Sequence, residues 1–245
     1  MYTKVYLIVG ASGTIGSAVA KYLPAEGVGL GLHYCRNRNV IHEMLPVFQN
    51  VGAICHPMQS SLDSEISCRA LVDDCFRQFQ AIDGIALCGG TVAWNEWQSL
   101  HEADWNAMFF QHCIAPFVIA QQAIPLMAAR GGGSVVFLSS IAPKYGGSPK
   151  SMHYAAAKGA LETAMYGLSK EVARYGIRIN GVRAGFIHSP QHERGRSAEE
   201  IAERIKKIPM GRAGIPEDVA STITYLLSDA SKFITGEIIA VAGGD

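Results

Sequence analysis

Short apolar runs rich in β-branched residues alternate with helix-length segments along the chain, the order expected of repeated strand–helix–strand units and a parallel sheet. Strands are predicted at Lys4–Val9, Val28–Tyr34, Ala53–His56, Gly84–Leu87, Ser134–Leu138, Ile177–Val182 and Glu237–Val241. Helices are predicted at Ile15–Leu23, Val40–Gln49, Ser64–Phe79, Glu102–Met127, Met152–Tyr175, Ala198–Lys207 and Pro216–Leu227. Pro46 and Pro125 are expected to kink or end theirs, because proline lacks the amide hydrogen that a helix interior uses. Several strands are continuously apolar rather than alternating, which calls for helices over both faces of the sheet. The fold expected is α/β, a doubly wound seven-stranded parallel sheet. No internal repeat or linker interrupts it, so residues 1–245 are expected to form one domain.

Composition narrows the function. The 245 residues carry 21 basic and 21 acidic side chains, with 49% hydrophobic and only 17% charged residues, against a usual charged share of about a quarter. A balanced charge gives no long-range field to collect phosphate backbones or anionic lipid, so neither a nucleic-acid nor a membrane partner is expected. The longest apolar stretch, Cys113–Ala120, is short of the ~20 residues of a membrane-spanning helix. All six cysteines lie in the first half without metal-site spacing, so no metal is expected and the thiols read as reduced, in a cytoplasmic protein. The low charged share is what burial of surface between subunits would produce.

The first strand runs into Gly10-Ala-Ser-Gly13-Thr-Ile-Gly16 and then a helix. Free backbone N–H groups and the positive end of the helix dipole meet there, which suits a pyrophosphate. At the end of the second strand an acidic residue would accept the adenosine ribose hydroxyls of NAD. Instead the chain reads His33, Tyr34, Cys35, Arg36, Asn37, Arg38, with no carboxylate until Glu43. The donor fork of Arg36 suits a 2′-phosphate, so NADP(H) is the expected cofactor.

Tyr154 and Lys158 lie four apart, on one side of a helix. A second such pair, Tyr166 and Lys170, follows twelve residues later on the same helix, ~18 Å along its axis and ~120° around it, so only one pair can serve a given site. The first lies near the helix start, shortly after Ser140, which closes a strand at the carboxyl edge where ligands bind in open α/β sheets. Tyr154 is therefore chosen.

Together these residues resemble the short-chain dehydrogenase/reductase family over Val5–Gly244, most closely its 3-oxoacyl-[acyl-carrier-protein] reductase branch. The glycine turn, Ser140, Tyr154 with Lys158, Asn180 with Gly185, and the run from Arg212 and Pro216 through Thr235 to Gly244 carry the resemblance. His33, Tyr34 and Arg36 are also similar to the strand end of pteridine reductases. The resemblance implies a Rossmann-type fold, with Tyr154 donating a proton to a carbonyl as hydride arrives from nicotinamide. Lys158 would lower the tyrosine pKa and hold the nicotinamide ribose, and Ser140 would stabilise the carbonyl oxygen. Cofactor contacts are implied for Gly10, Ser12, Gly13, Thr14 and Ile15, for Arg36, Asn37 and Ser61, for Gly89 and Gly90, and for Gly185, Ile187 and Ser189. A homotetramer is also implied.

Several positions depart from the family's pattern. The usual Asn-Asn-Ala-Gly is Leu87, Cys88, Gly89, Gly90, which loses the asparagines that brace neighbouring strands. Ser61 replaces an aspartate at adenine, Ala184 replaces the proline before Gly185, and Ala242 replaces a late aspartate. His112 falls where a fourth catalytic residue, an asparagine, normally sits. Its imidazole is expected either to relay the proton, with a pKa near ~6.5, or to pack in the helix while its backbone holds a water.

The function expected is an NADPH-dependent reductase of a ketone, such as a 3-oxoacyl thioester or related ketide. An alcohol or polyol dehydrogenase, a pterin-type reductase and a catalytically silent nucleotide-binding subunit are the alternatives. Specificity is expected from Thr91–Trp97, where Trp94 and Trp97 read as pocket walls or as packing residues, from Pro143–Ser151, and from a lid over residues 190–210.

Overall fold

The computed structural model describes residues 2–190 and 197–245, so the part of the expected lid at 191–196 lies outside the described residues. Seven parallel strands form one sheet in the order β3-β2-β1-β4-β5-β6-β7. They span β1 Lys4–Val9, β2 Val28–Tyr34, β3 Ile54–Gln59, β4 Gly84–Leu87, β5 Gly133–Ser140, β6 Ile177–Ala184 and β7 Ile238–Val241. The strand order reverses direction between β1 and β4, and the crevice at their carboxyl ends is where such sheets take ligands.

Helices cover both faces, as the unbroken burial of all seven β2 residues requires. One face buries Leu7, Ile85 and Val135 against α3 (Glu65–Phe79), α5 (Ala115–Ala129) and α7 (Met152–Val172). The other buries Ile8, Leu30 and Val182 against α1 (Thr14–Tyr22), α2 (Arg38–Asn50) and α9 (Pro216–Leu227). Two shorter helices, α6 (Ala142–Tyr145) and α8 (Ala198–Lys206), follow β5 and precede α9.

Three expectations change. Strand β3 runs on through Pro57 to Gln59, which an edge strand allows because one side of it has no ladder partner for the missing amide. Pro46 and Pro125 do not end their helices, which continue to Asn50 and Ala129. Both prolines stand on exposed faces, where water can take the carbonyl left without an amide partner. The helix expected over Glu102–Met127 is instead α4 (Glu102–Phe109), a wide π-turn at Phe110–Ile114, and α5. Taken together, Glu102–Ala129 is 28 residues long and, by length and composition, apolar enough to cross a membrane, more than the run Cys113–Ala120 suggested. Its buried stripe of Ile119, Ala123 and Met127 packs on the sheet.

Candidate active site

The glycine turn after β1 is built for close approach. Gly10 has φ +79° and its Cα side faces Gly89 after β4, where a Cβ would come within 2.7 Å of the Gly89 Cα. A Cβ on Gly16 would lie 2.1 Å from the Gly10 carbonyl oxygen, so α1 can start tight against the turn only with glycine there. His33, at the buried end of β2, braces this turn. Its Nδ1 accepts from the Gly10 amide at 3.0 Å and its Nε2 donates to the Ser60 carbonyl at 3.1 Å, so one neutral imidazole ties β1, β2 and β3 together. Burial holds its pKa below the usual histidine value, in keeping with the neutral form. A polar residue next to the end of an otherwise apolar strand was its signal in the sequence.

Two cavities meet along Cys88, Gly89 and Gly90. The first, about 430 Å³, opens over the glycine turn and is lined by Gly10, Ser12 and Gly13. Arg36, Asn37 and Ser61 line its far side. The second, about 450 Å³, is lined by Ile15, Ser140, Tyr154, Lys158, Gly185 and Ile187, with His112 and Trp94 also on its wall. The sequence-predicted residues are thus gathered at two ends of one crevice. Thr14 and Ser189 line neither cavity. Trp94 is a pocket wall, whereas Trp97 is exposed on a short 3-10 turn.

At the second cavity β5 and α7 carry the reactive groups. The Ser140 Oγ accepts from the Ala142 amide at 3.1 Å, which fixes the hydroxyl at the start of α6. The Lys158 Nζ donates to the Leu138 carbonyl at 2.6 Å and stands 6.0 Å from the centre of the Tyr154 ring. Burial pushes the Tyr154 phenol up to about 12, while the Ser140 hydroxyl beside it pulls the other way. In the protein without cofactor desolvation is the larger cause and keeps the Tyr154 phenol neutral. Burial also brings the Lys158 ammonium down to about 8, opposed by Cys88, Cys113 and Glu162.

His112 sits in the π-turn, which carries its ring inward. Its Nε2 donates to the Thr91 carbonyl at 2.9 Å, its Nδ1 is buried without a hydrogen-bond partner among the described residues, and its Cε1 fills the space that a Cβ on Gly90 would need. Burial and the Lys158 charge hold its pKa down at about 3, so the ring is neutral at ordinary pH. A titrating relay near ~6.5 is therefore not what this environment provides.

Behind the site, the Glu162 carboxylate on α7 accepts from the Ser139 hydroxyl at 2.7 Å and from Arg183 Nε and Nη2 at 2.8 and 2.7 Å. This links the strand residue before Ser140, the helix turn after Lys158 and the strand that leads into Gly185. Neither Glu162 nor Arg183 stood out in the sequence, where they read as ordinary helix and strand charges.

A switch-point crevice with a glycine-cradled end and a serine, tyrosine and lysine at the other is the arrangement of a nucleotide-dependent oxidoreductase. A family profile described as enoyl-(acyl carrier protein) reductase matches residues 10–245. The chain belongs to the short-chain dehydrogenase/reductase family, whose members bind a nicotinamide cofactor and act on small molecules. It is 32% identical to the uncharacterized oxidoreductase YgfF of Escherichia coli, over 97% of this chain and 98% of that one. It is 28% identical to the 3-oxoacyl-[acyl-carrier-protein] reductase FabG of Staphylococcus aureus, over 99% and 98%. The fold matches a 7α-hydroxysteroid dehydrogenase solved with NADH and 7-oxo glycochenodeoxycholic acid, with TM-score 0.91, 22% identity and coverage of 99% and 94%.

Proposed function

We propose that this oxidoreductase is an NADPH-dependent carbonyl reductase acting on a 3-oxoacyl thioester or a related ketide. The observation that carries the reading is the joined crevice, with Arg36 and, among the described residues, no carboxylate lining its far end, and Ser140, Tyr154 and Lys158 at the near end. The similarity to FabG, named as a 3-oxoacyl-[acyl-carrier-protein] reductase, supports the substrate class.

The residues fit the cofactor. The turn at Gly10–Gly16 leaves room for a pyrophosphate against the backbone, and the two cavities together accommodate an extended dinucleotide. Arg36 would hold the 2′-phosphate, with Asn37 and Ser61 at the adenosine. Gly185, Ile187 and Ser189 would hold the nicotinamide end, and Thr14, at the start of α1, would stand at the pyrophosphate. When bound, the dihydronicotinamide supplies a hydride. Tyr154, neutral because burial raises its pKa, gives its hydroxyl proton to the carbonyl oxygen. Ser140 donates a hydrogen bond to the same oxygen and stabilises the charge that develops there. The Lys158 ammonium would hold the ribose hydroxyls, beside the tyrosine that needs reprotonation. His112, a neutral ring, positions Tyr154.

The chain would act as one domain in the cytoplasm, and of the segment expected as a lid the described Arg204 and Lys207 line the reaction cavity. The exposed side chains of Ile114, Tyr166 and Phe233 support assembly into a homotetramer. Oxidation of NADPH, followed at its absorbance across 3-oxoacyl thioesters, cyclic ketones and pterins, tests the reading. Turnover of thioesters in preference to the others is the expected result. Preference for pterins selects the alternative reductase, and oxidation of none selects a silent nucleotide-binding subunit.

A further inference from the structure

The reaction cavity continues outward from Tyr154 to a rim where α8 meets the last residues of the chain. Arg204 and Lys207 line it there, three apart and so on one side of that helix end. The Asp245 side chain, only 10% exposed, pairs with Arg204 Nη2 and accepts from the Tyr145 hydroxyl at 3.4 Å. The Arg204 guanidinium also lies 5.7 Å from the centre of the Phe186 ring. Lys207 makes no ion pair with a described residue. Arg204 and Lys207 therefore face the Asp245 side chain on a wall otherwise built from groups such as Trp94, Ile141 and Phe186.

A neutral ketone offers neither cation a partner. A planar guanidinium fork matches carboxylate and phosphate oxygens, and it already holds a carboxylate here, that of Asp245. Giving up Arg204 would leave the Asp245 carboxylate with the 3.4 Å Tyr145 hydrogen bond alone, a cost that the arriving anion's own pairing with Arg204 and Lys207 has to offset. Lys207 supplies the second positive charge that makes an arriving anion a better fit than a neutral group.

Resting on the carbonyl-reductase reading above, we propose that Arg204 and Lys207 recognise an anionic group, carboxylate or phosphate, carried by the ketone substrate beyond its carbonyl, and that Asp245 occupies Arg204 until that anion displaces it. The competing account is a structural clamp, in which Arg204 and Asp245 only fasten α8 to the end of the chain.

The test is steady-state oxidation of NADPH with paired substrates. Keto acids of graded chain length are set against their methyl esters, and 3-oxoacyl thioesters of 4′-phosphopantetheine against those of N-acetylcysteamine. The first pairing reads a carboxylate and the second a phosphate. The readout is the ratio of kcat/KM for the anionic over the neutral member. The expected result is a ratio above one in at least one pairing, falling about tenfold in Lys207→Gln, equivalent to ~1.4 kcal/mol. In Asp245→Asn, which frees Arg204, the ratio rises through a lower KM, and high salt shrinks the preference. A ratio near one, or one that ignores both variants while melting temperature alone changes, overturns the anion site and leaves the reductase reading standing. Oxidation with none of the substrates overturns the reductase reading, and the anion site with it.

Discussion

The His112 ring meets the Tyr154 ring edge-on, with centroids 4.8 Å apart and planes at 86°. The imidazole is held by the Thr91 carbonyl on one side and seated against Gly90 on the other, which gives the tyrosine ring a fixed neighbour. Because its pKa is held at about 3 against 6.5 in the unfolded chain, only the unfolded chain takes up this proton between those values. Stability is therefore lost as pH falls through that window. Thermal melting at pH 7 and pH 4.5 should show a smaller acid loss in His112→Asn than in the parent. The pH dependence of kcat/KM between pH 5.5 and 8 should keep its shape in the same variant, and a displaced limb would restore the relay.

Tyr154→Phe removes one oxygen from a well-packed ring. Turnover should drop by about 10²–10⁴-fold, the range for a positioned proton donor. NADPH binding, followed by quenching of protein fluorescence, should persist. Near-normal turnover would mean that another group donates the proton.

Arg36→Ala should raise the KM for NADPH by roughly tenfold or more, the scale of a hydrogen bond to a charged group, and leave that for NADH almost unchanged. An equal change for both cofactors would place Arg36 outside the 2′-phosphate site.

Glu162 raises the pKa of Lys158, which burial has brought to about 8. Glu162→Gln removes that support and leaves the Arg183 cation unpaired, so the ammonium should lose its proton at lower pH. The alkaline limb of the kcat/KM profile should move to lower pH, and Glu162→Asp should bring it partly back. A purely structural role would change the melting temperature with the limb in place. In the protein without cofactor, Lys158 titrates near 8 when folded and near 10.5 when unfolded. The unfolded chain binds more protons across that interval, so this residue's contribution makes stability rise with pH there.

The sequence by itself determined the strand and helix order, because continuous apolar runs can be buried only between two helical layers. It also placed the glycine turn, Ser140, Tyr154 and Lys158, since a turn, a strand end and a helix start are local events. The π-turn at Phe110–Ile114 was not legible: one inserted residue shifts the helix phase by about 100°, which a run apolar on nearly every side does not reveal, yet it aims His112 at Thr91. Nor were the bridges made by His33, by Glu162 with Arg183 and by Arg204 with Asp245, whose partners are 21 to 41 residues apart along the chain. The values near 12, 8 and 3 at Tyr154, Lys158 and His112 come chiefly from burial, which exists only once the layers have closed. Residue types announced which groups could react; tertiary packing decided their protonation and their neighbours, because desolvation and long-range pairing depend on what the fold brings against each side chain.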